Sequence, residues 1–235
     1  MIRNTVAITQ RELRSYFVSP VAWVITAFFV SIWGILFFAI VTGSREANLR
    51  PLLSNFSVTF LFVGPFLTMR LIAEEAKTGT LELLLTQPIR EVELVMGKYF
   101  AAVGFLMFML AVTLFFPVLL SVFGNPDRGP MAAGYLGILL QGMAFMAIGL
   151  IASSLTQNQI IAAAVTFVVL LLLWLADVVT LGGAAAEIAR FVSISQRSQD
   201  MLRGVIDTKD VVFFIALIVG CLFVTTQIIT ARRWR

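Results

Sequence analysis

The 235-residue chain is 60% hydrophobic and 13% charged and has a mean hydropathy of +0.97, which excludes an ordinary soluble domain and predicts a polytopic membrane protein. Histidine is absent, which excludes Ser-His and Cys-His catalytic pairs and histidine-ligated metal sites. The single cysteine, Cys221, excludes a disulfide within the chain and a cysteine-based metal site.

Residues 1–20 are predicted to form an amphipathic helix that lies at the membrane interface. Its more apolar positions recur at spacings of three and four residues, and its cations and one glutamine project toward the headgroups. The two sets are Ile2, Val6, Thr9, Leu13 and Phe17, and Arg3, Gln10, Arg11 and Arg14. A frayed basic tail is the alternative interpretation.

Six apolar runs follow, each of the length that a bilayer requires, roughly 20 residues per helix. They are residues 21–42, 56–73, 99–122, 131–153, 160–181 and 211–230. The first run is too long for the core of a cleavable signal peptide and is expected to stay as an anchor. The predicted fold class is therefore all-α, with one transmembrane domain over residues 1–235.

The orientation follows from the cations in the connections. The side that holds both termini carries ten of the 17 lysine and arginine residues, which places both termini in the cytoplasm. These residues are Arg3, Arg11, Arg14, Arg70, Lys77, Arg90, Lys98, Arg232, Arg233 and Arg235. The net charge of +4 is therefore interpreted as an orientation signal, and nucleic acid is not an expected partner.

An aromatic stripe runs along the first span. Phe29, Trp33 and Phe37 recur at intervals of four residues and so share one face of the helix. Packing inside the bundle or contact with lipid is one interpretation of this stripe, and a contact surface for a second copy of the chain is the other.

The fourth span carries signals for close helix packing. Gly149 and Ser153 have the spacing of small residues that lets two helix backbones approach closely. Gln141, near the middle of the span, is predicted to hydrogen-bond a neighbouring helix, with a contact to cargo as the alternative.

The segment from Arg70 to Lys98 is rich in charge and lies between two apolar runs, so it is expected in water or at a membrane surface. Gly79 provides a flexible break, and Thr80 is predicted to cap a short amphipathic helix. Pro88 is predicted to end this helix, and a second short helix is expected from about Ile89.

The same segment resembles the membrane subunits of ABC exporters of the ABC-2 type. That family carries an acidic pair, a basic residue, Gly-Thr, a hydrophobic residue and glutamate, then a leucine run closed by Thr-x-Pro. Here the pattern reads Glu74-Glu75, Lys77, Gly79-Thr80-Leu81-Glu82, the leucines up to Leu85, Thr86 and Pro88. A well-capped loop without a partner is the alternative.

The resemblance implies a role for each part of the chain. Residues 74–98 would be a cytoplasmic coupling loop whose helix docks into a cleft of the ATPase subunit. The docking residues would be Glu74, Glu75, Lys77, Gly79, Thr80, Leu81, Glu82, Leu85 and Pro88. Residues 1–20 would be an elbow helix, and Phe29, Trp33 and Phe37 would contact a second permease copy. Residues 182–210 would form outer re-entrant helices.

A second, shorter similarity concerns the outer segment. Arg203-Gly204-Val205-Ile206-Asp207 followed by Asp210 resembles the branch of the family that includes the gliding-motility permeases. This branch implies the cytoplasmic membrane of a prokaryote.

The function implied by the resemblance is that of a permease in an ATP-driven exporter. No phosphate-binding loop is present, since Gly97-Lys98 lacks the upstream glycine and the following hydroxyl, so the chain is not expected to be an enzyme or to bind a cofactor, and ATP would be bound by a partner ATPase subunit. The other expected partners are a second or related permease copy, lipid, and an auxiliary membrane protein. A force-transmitting scaffold and a secondary transporter remain as alternatives.

Overall fold

The computed structural model describes residues 2–44, 48–87, 89–124, 126–178 and 201–233, together with Ile194 and Arg197. The regular structure of these residues is entirely helical. The helices are α1 (Ile2–Val18), α2 (Pro20–Ser44), α3 (Arg50–Ser54), α4 (Phe56–Thr68), α5 (Ala73–Thr78), α6 (Thr80–Thr86), α7 (Glu91–Thr113), α8 (Phe115–Phe123), α9 (Arg128–Leu155), α10 (Gln159–Val178) and α11 (Thr208–Arg233).

Five stretches of the described chain are long and apolar enough to cross a membrane. They are Pro20–Gly43, Phe56–Thr78, Glu91–Phe123, Arg128–Leu155 and Thr208–Arg232. The predicted span 160–181 corresponds to α10, whose apolar stretch Gln159–Leu175 is shorter, and residues 179–181 lie outside the described residues. The sixth crossing therefore stays a prediction, as do the re-entrant helices, because most of residues 182–210 also lie outside the described part.

Helix α9 lies at the centre of the bundle and contacts α3, α4, α5, α7, α10 and α11. Four of its glycines let neighbouring side chains reach its backbone, because those side chains occupy the space that a Cβ would need. The four are Gly134, Gly137, Gly142 and Gly149. The predicted hydrogen bond of Gln141 is confirmed, since its Nε2 donates to the buried Ser57 Oγ at 2.5 Å.

Helix α1 packs along the first half of α7. Ile8 contacts Gly97, Leu13 contacts Gly104, and the Tyr16 ring stacks on Phe105 with centroids 5.0 Å apart. The predicted apolar face is only partly correct, because Ile2 and Val6 are exposed and line an open apolar groove beside α7. That α1 is an elbow at the membrane interface stays a prediction.

Two boundaries within residues 70–98 differ from the prediction. The residue before α6 is Gly79 rather than Thr80, whose hydroxyl instead contacts Thr78 and the Glu75 carbonyl. No separate helix forms after Ile89, because α7 begins at Glu91 and runs without a break into the apolar span. The Glu93 carboxylate accepts a hydrogen bond from the Arg90 amide at 3.1 Å, which caps this start.

Candidate functional site

The site is built on a turn that interrupts the second membrane stretch. Helix α4 ends at Thr68, and residues 69–72 turn before α5 begins. Ser153 of α9 bridges this turn: its Oγ accepts hydrogen bonds from the amides of Ile72 and Ala73, both at 3.0 Å, and donates to the Met69 carbonyl at 3.2 Å. The bridge satisfies backbone groups that a helix end would otherwise leave unpaired.

The glycine one turn before Ser153 makes this contact possible. A Cβ on Gly149 would fall on the side chain of Thr68, so α9 meets the end of α4 at this point. The small-residue spacing that the sequence shows in the fourth span is thus used to bring α9 against the turn.

Helices α5 and α6 form a short hairpin, residues 73–86, which we call the α5–α6 hairpin. Gly79 joins the two helices in the left-handed conformation, with φ of 72° and ψ of 0°. Leu81 points into the core and is 4% exposed, whereas Lys77, Glu82 and Leu83 are exposed. Leu81 therefore anchors the hairpin in the core, and the tip of the hairpin faces outward.

The base of the hairpin carries a ring of four charges. Lys98 Nζ of α7 lies 2.9 Å from Glu75 Oε2 and 3.4 Å from Glu12 Oε1. Arg11 Nη2 lies 2.6 Å from Glu12 Oε1 and 3.1 Å from Glu75 Oε1. Each cation thus contacts both carboxylates, and we call these four residues the charge ring. The Lys98–Glu75 contact is a close ion pair whose angles fall outside those of a hydrogen bond.

The four members of the charge ring differ in burial. The Lys98 side chain is 1% exposed, and those of Glu12 and Glu75 are 17% and 16% exposed, whereas that of Arg11 is 54% exposed. The hydrogen bond to Glu12 raises the pKa of the Arg11 guanidinium, partial burial opposes this, and the charge of Glu75 adds to the rise. Lys98 is the member that water cannot reach, so its contacts are the least screened.

Lys98 lies near the level where α7 leaves the hydrocarbon. The apolar stretch Glu91–Phe123 has 33 residues, about 50 Å of helix, against a hydrocarbon thickness of about 30 Å. Some 20 Å of this stretch must therefore stand outside the hydrocarbon. Its ionisable residues Glu91, Glu93 and Lys98 all lie in the first turns of α7. These turns are therefore the part that lies beyond the hydrocarbon.

Further polar contacts fix α1 and the residue that follows it against the end of α4, the turn 69–72 and α7. Arg70 Nε pairs with Glu74 Oε2 at 2.9 Å, and its Nη1 donates to Ser19 Oγ at 3.0 Å. The Tyr16 hydroxyl donates to the Leu67 carbonyl at 2.6 Å, and burial raises the pKa of this phenol. Asn4 Nδ2 donates to Glu93 Oε2 at 3.1 Å. Helix α1 is thus attached along most of its length.

The structure buries one predicted docking residue, Leu81, whose side chain packs into the core and presents no surface to a partner, and it divides the other described ones into two groups. Glu74 and Glu75 are part of the base, where they contact Arg70, Arg11 and Lys98. The exposed tip holds the second group, Lys77, Gly79, Thr80 and Glu82. Pro88 and the side chain of Leu85 lie outside the described residues.

An open groove beside the tip extends this surface. It is lined by Lys77, by residues of the connection between α9 and α10, and by Arg232 near the end of α11; the connecting residues are Leu155, Thr156, Gln157 and Asn158. No sequence pattern points to this uncharged connection, since its contribution depends on the tertiary arrangement. The hairpin, the connection and the end of α11 all lie at one end of the bundle.

The residues predicted to contact a second copy are placed differently. Phe29 and Trp33 are completely buried within the chain, where Trp33 packs edge-on against Phe56, so neither side chain presents a surface to another copy. Phe37 is half-buried and packs on Phe116 with ring centroids 5.0 Å apart. Phe29 and Trp33 therefore pack inside the bundle, whereas a contact of Phe37 with a second copy stays a prediction.

Comparison with known protein families identifies the family to which the chain is similar. A family model described as "ABC-2 family transporter protein" matches residues 6–218, well over half of the chain. No curated protein matches the sequence. The matched range includes the α5–α6 hairpin and all four members of the charge ring.

Proposed function

The chain belongs to the ABC-2 family of transporter proteins, and on this premise we propose that it is the permease subunit that couples ATP hydrolysis by a separate ATPase subunit to export across the cytoplasmic membrane of a prokaryote. As a member of this family it is a multi-pass membrane subunit of an ABC transporter. ATP would be bound by the partner, and two permease copies, or this chain and a related one, would share one pair of ATPase subunits.

The observation that carries this proposal is the form of the α5–α6 hairpin. Its tip presents two charges, Lys77 and Glu82, and an exposed leucine, Leu83, whereas its base is tied to three other helices. A segment exposed at its tip and anchored at its base can receive a contact without unfolding. These features suit a docking element better than a loop that only connects two spans.

The docking surface would include the tip and the neighbouring groove. Lys77 belongs to both, and the groove adds the polar residues of the α9–α10 connection and Arg232. The ATPase subunit would therefore contact two connections and the end of α11 at the same end of the bundle. Both termini and this surface would lie on the cytoplasmic side, as the distribution of cations predicts.

The experiment that tests the proposal is a gentle purification of the tagged full chain from its native membranes. Mass spectrometry of the purified sample would show whether a stoichiometric soluble chain with an ATP-binding phosphate loop is retained. The test variant is Glu82→Lys, which reverses an exposed charge at the tip. The matched control is Lys209→Glu, which reverses an exposed charge at the start of α11, far from the hairpin.

We expect the ATPase chain to be retained by the wild type and by Lys209→Glu and to be lost from Glu82→Lys. Both variants should insert into the membrane normally, because Glu82 lies outside the apolar stretches and Lys209 lies at the very end of one. Absence of such a chain from the wild type in several mild detergents would contradict the proposal and favour a scaffold or a secondary transporter. Full retention of the ATPase chain by Glu82→Lys would contradict the assignment of the tip as part of the docking surface.

A further inference from the structure

The charge ring connects segments that are distant in the sequence. It joins α1, the base of the α5–α6 hairpin and the start of α7 through Arg11, Glu12, Glu75 and Lys98. The attachment of the hairpin to its own preceding helix is different in kind. There the links are the turn 69–72, the neutral hydrogen bonds of Ser153, which belongs to α9, and the Arg70–Glu74 ion pair, whose side chains are 32% and 43% exposed and so more strongly screened.

Separating the hairpin from α7 would be costly. Lys98 is 1% exposed, so moving Glu75 away would leave a buried ammonium with Glu12 as its remaining carboxylate contact, at the longer distance of 3.4 Å. Removing one partner of a buried ion pair is far more destabilising than losing an exposed pair. The hairpin base, α1 and the start of α7 are therefore expected to move together.

Packing supports the same conclusion. Ile8 sits in the space that Gly97 leaves on α7, and the Thr9 hydroxyl donates to the Gly97 carbonyl at 3.1 Å, one residue before Lys98. Asn4 contacts Glu93 one turn earlier. Helix α1 thus contacts α7 directly beside Lys98, and the hairpin is bound to the same place at Glu75.

We propose that Lys98 is a positioning residue that couples movement of the docking hairpin to the third membrane span and the N-terminal helix. This inference rests on the proposed function for the source of the movement. The attachment that it describes can be measured in the isolated chain, without an ATPase subunit.

The first test measures hydrogen exchange of the full chain in lipid nanodiscs. Replacing Lys98 by methionine removes the buried cation but keeps the side-chain length, and Lys98→Arg restores the charge. The matched control is Lys77→Met, which removes an exposed cation from the same hairpin. For Lys98→Met we expect exchange of the α5 amides to rise about a hundredfold, whereas Lys98→Arg and Lys77→Met should exchange like the wild type.

The second test measures distances between spin labels in a Cys221→Ser background. One label at Thr80→Cys on the hairpin is paired with an exposed position of α7, Met107→Cys, or of α4, Phe62→Cys. In Lys98→Met the hairpin-to-α7 distances should spread over a wider range, and Lys98→Arg should restore the narrow distribution. The same narrow distribution in Lys98→Met and in the wild type would overturn the proposal.

A third measurement separates this proposal from the proposed function. With the ATPase chain that co-purifies, Lys98→Met should retain binding but lose the change in the distance between Met107 of α7 and Phe62 of α4 that ATP produces in the wild type. Loss of binding and of ATP response together would indicate a merely structural role and overturn the proposal. If the wild type binds no ATPase chain, the proposed function fails, while the exchange and distance measurements still decide the role of Lys98.

Discussion

Gly79 has a backbone conformation that other residues adopt at a cost. Its φ of 72° places it in the left-handed region, and open space surrounds the position where a Cβ would be. We therefore expect Gly79→Ala to destabilise the α5–α6 hairpin by about 1 kcal/mol through backbone strain alone. Hydrogen exchange of the α5 and α6 amides should rise about fivefold as a result.

Asparagine provides the control for this prediction, because it tolerates the left-handed conformation better than other residues with a side chain. Gly79→Asn should therefore exchange more slowly than Gly79→Ala. Equal exchange in the two variants would show that the conformation of Gly79 does not control hairpin stability.

Individual residues differ in how far the sequence revealed their roles. The break at Gly79 and the hydrogen bond of Gln141 were predictable, since each follows from the chemistry of one side chain in a known context. The capping role assigned to Thr80 was wrong, because Gly79 ends α5 and immediately precedes α6. The burial of Lys98 was not predictable, since a lysine at the start of an apolar run normally extends toward water.

The junction between α4 and α5 depends on a side chain from another helix. The Ser153 Oγ accepts hydrogen bonds from the amides of Ile72 and Ala73, so Ser153→Ala would leave two buried donors without partners. We expect this variant to lose about 2 kcal/mol of stability. The exchange of these two amides should increase more than that of amides elsewhere in α9.

The neighbouring serine offers a matched control. Ser154 is equally buried, but its Oγ donates to the Ile151 carbonyl of its own helix. Ser154→Ala should therefore change the exchange at Ile72 and Ala73 very little. A similar increase in both variants would mean that the bridge does not hold the turn.

Helix boundaries were predicted well where composition changes sharply and poorly where charged residues continue a helix. The sequence predicts that the third membrane span starts at residue 99, but its helix, α7, begins at Glu91. The charges before Lys98 predict a separate short helix. In the structure they extend the same helix beyond the expected hydrocarbon, with Glu93 capping its start.

The bundle as a whole has two distinct ends. Lys77 and Asn158 line one groove with Arg232, whereas Gly204 contacts Pro130 at the start of α9, one helix length away. We predict that cysteines at positions 77 and 158 are reached from the cytoplasm and that cysteines at positions 128 and 205 are reached from outside. The measurement is labelling with a membrane-impermeant maleimide in a Cys221→Ser background.

Intact cells should label Arg128→Cys and Val205→Cys, and Lys77→Cys and Asn158→Cys should react only after permeabilisation. These four positions are exposed, so burial does not limit their reaction. If Lys77→Cys and Asn158→Cys were labelled from opposite sides of the membrane, the two positions could not lie at the same end of the bundle. Labelling of both in intact cells would reverse the predicted orientation.

The architecture was largely predictable, because hydropathy alone identifies long apolar helices. Five of the six predicted spans correspond to described helices that can cross a membrane. The charge ring was not predictable, because its members lie at positions 11, 12, 75 and 98 and only the folded chain brings them together. The arrangement of α1 along α7 was missed for the same reason.

The position of α1 also bears on the order in which the chain is made. Its partners on α7 follow it by almost ninety residues, as in the contact of Asn4 with Glu93. During synthesis, α1 must therefore wait until two membrane helices have been inserted and the third has begun to emerge. Throughout that interval Ile8, Leu13 and Tyr16 lack the surface that later covers them, so chains arrested before α7 should be preferred targets for chaperones and quality-control proteases.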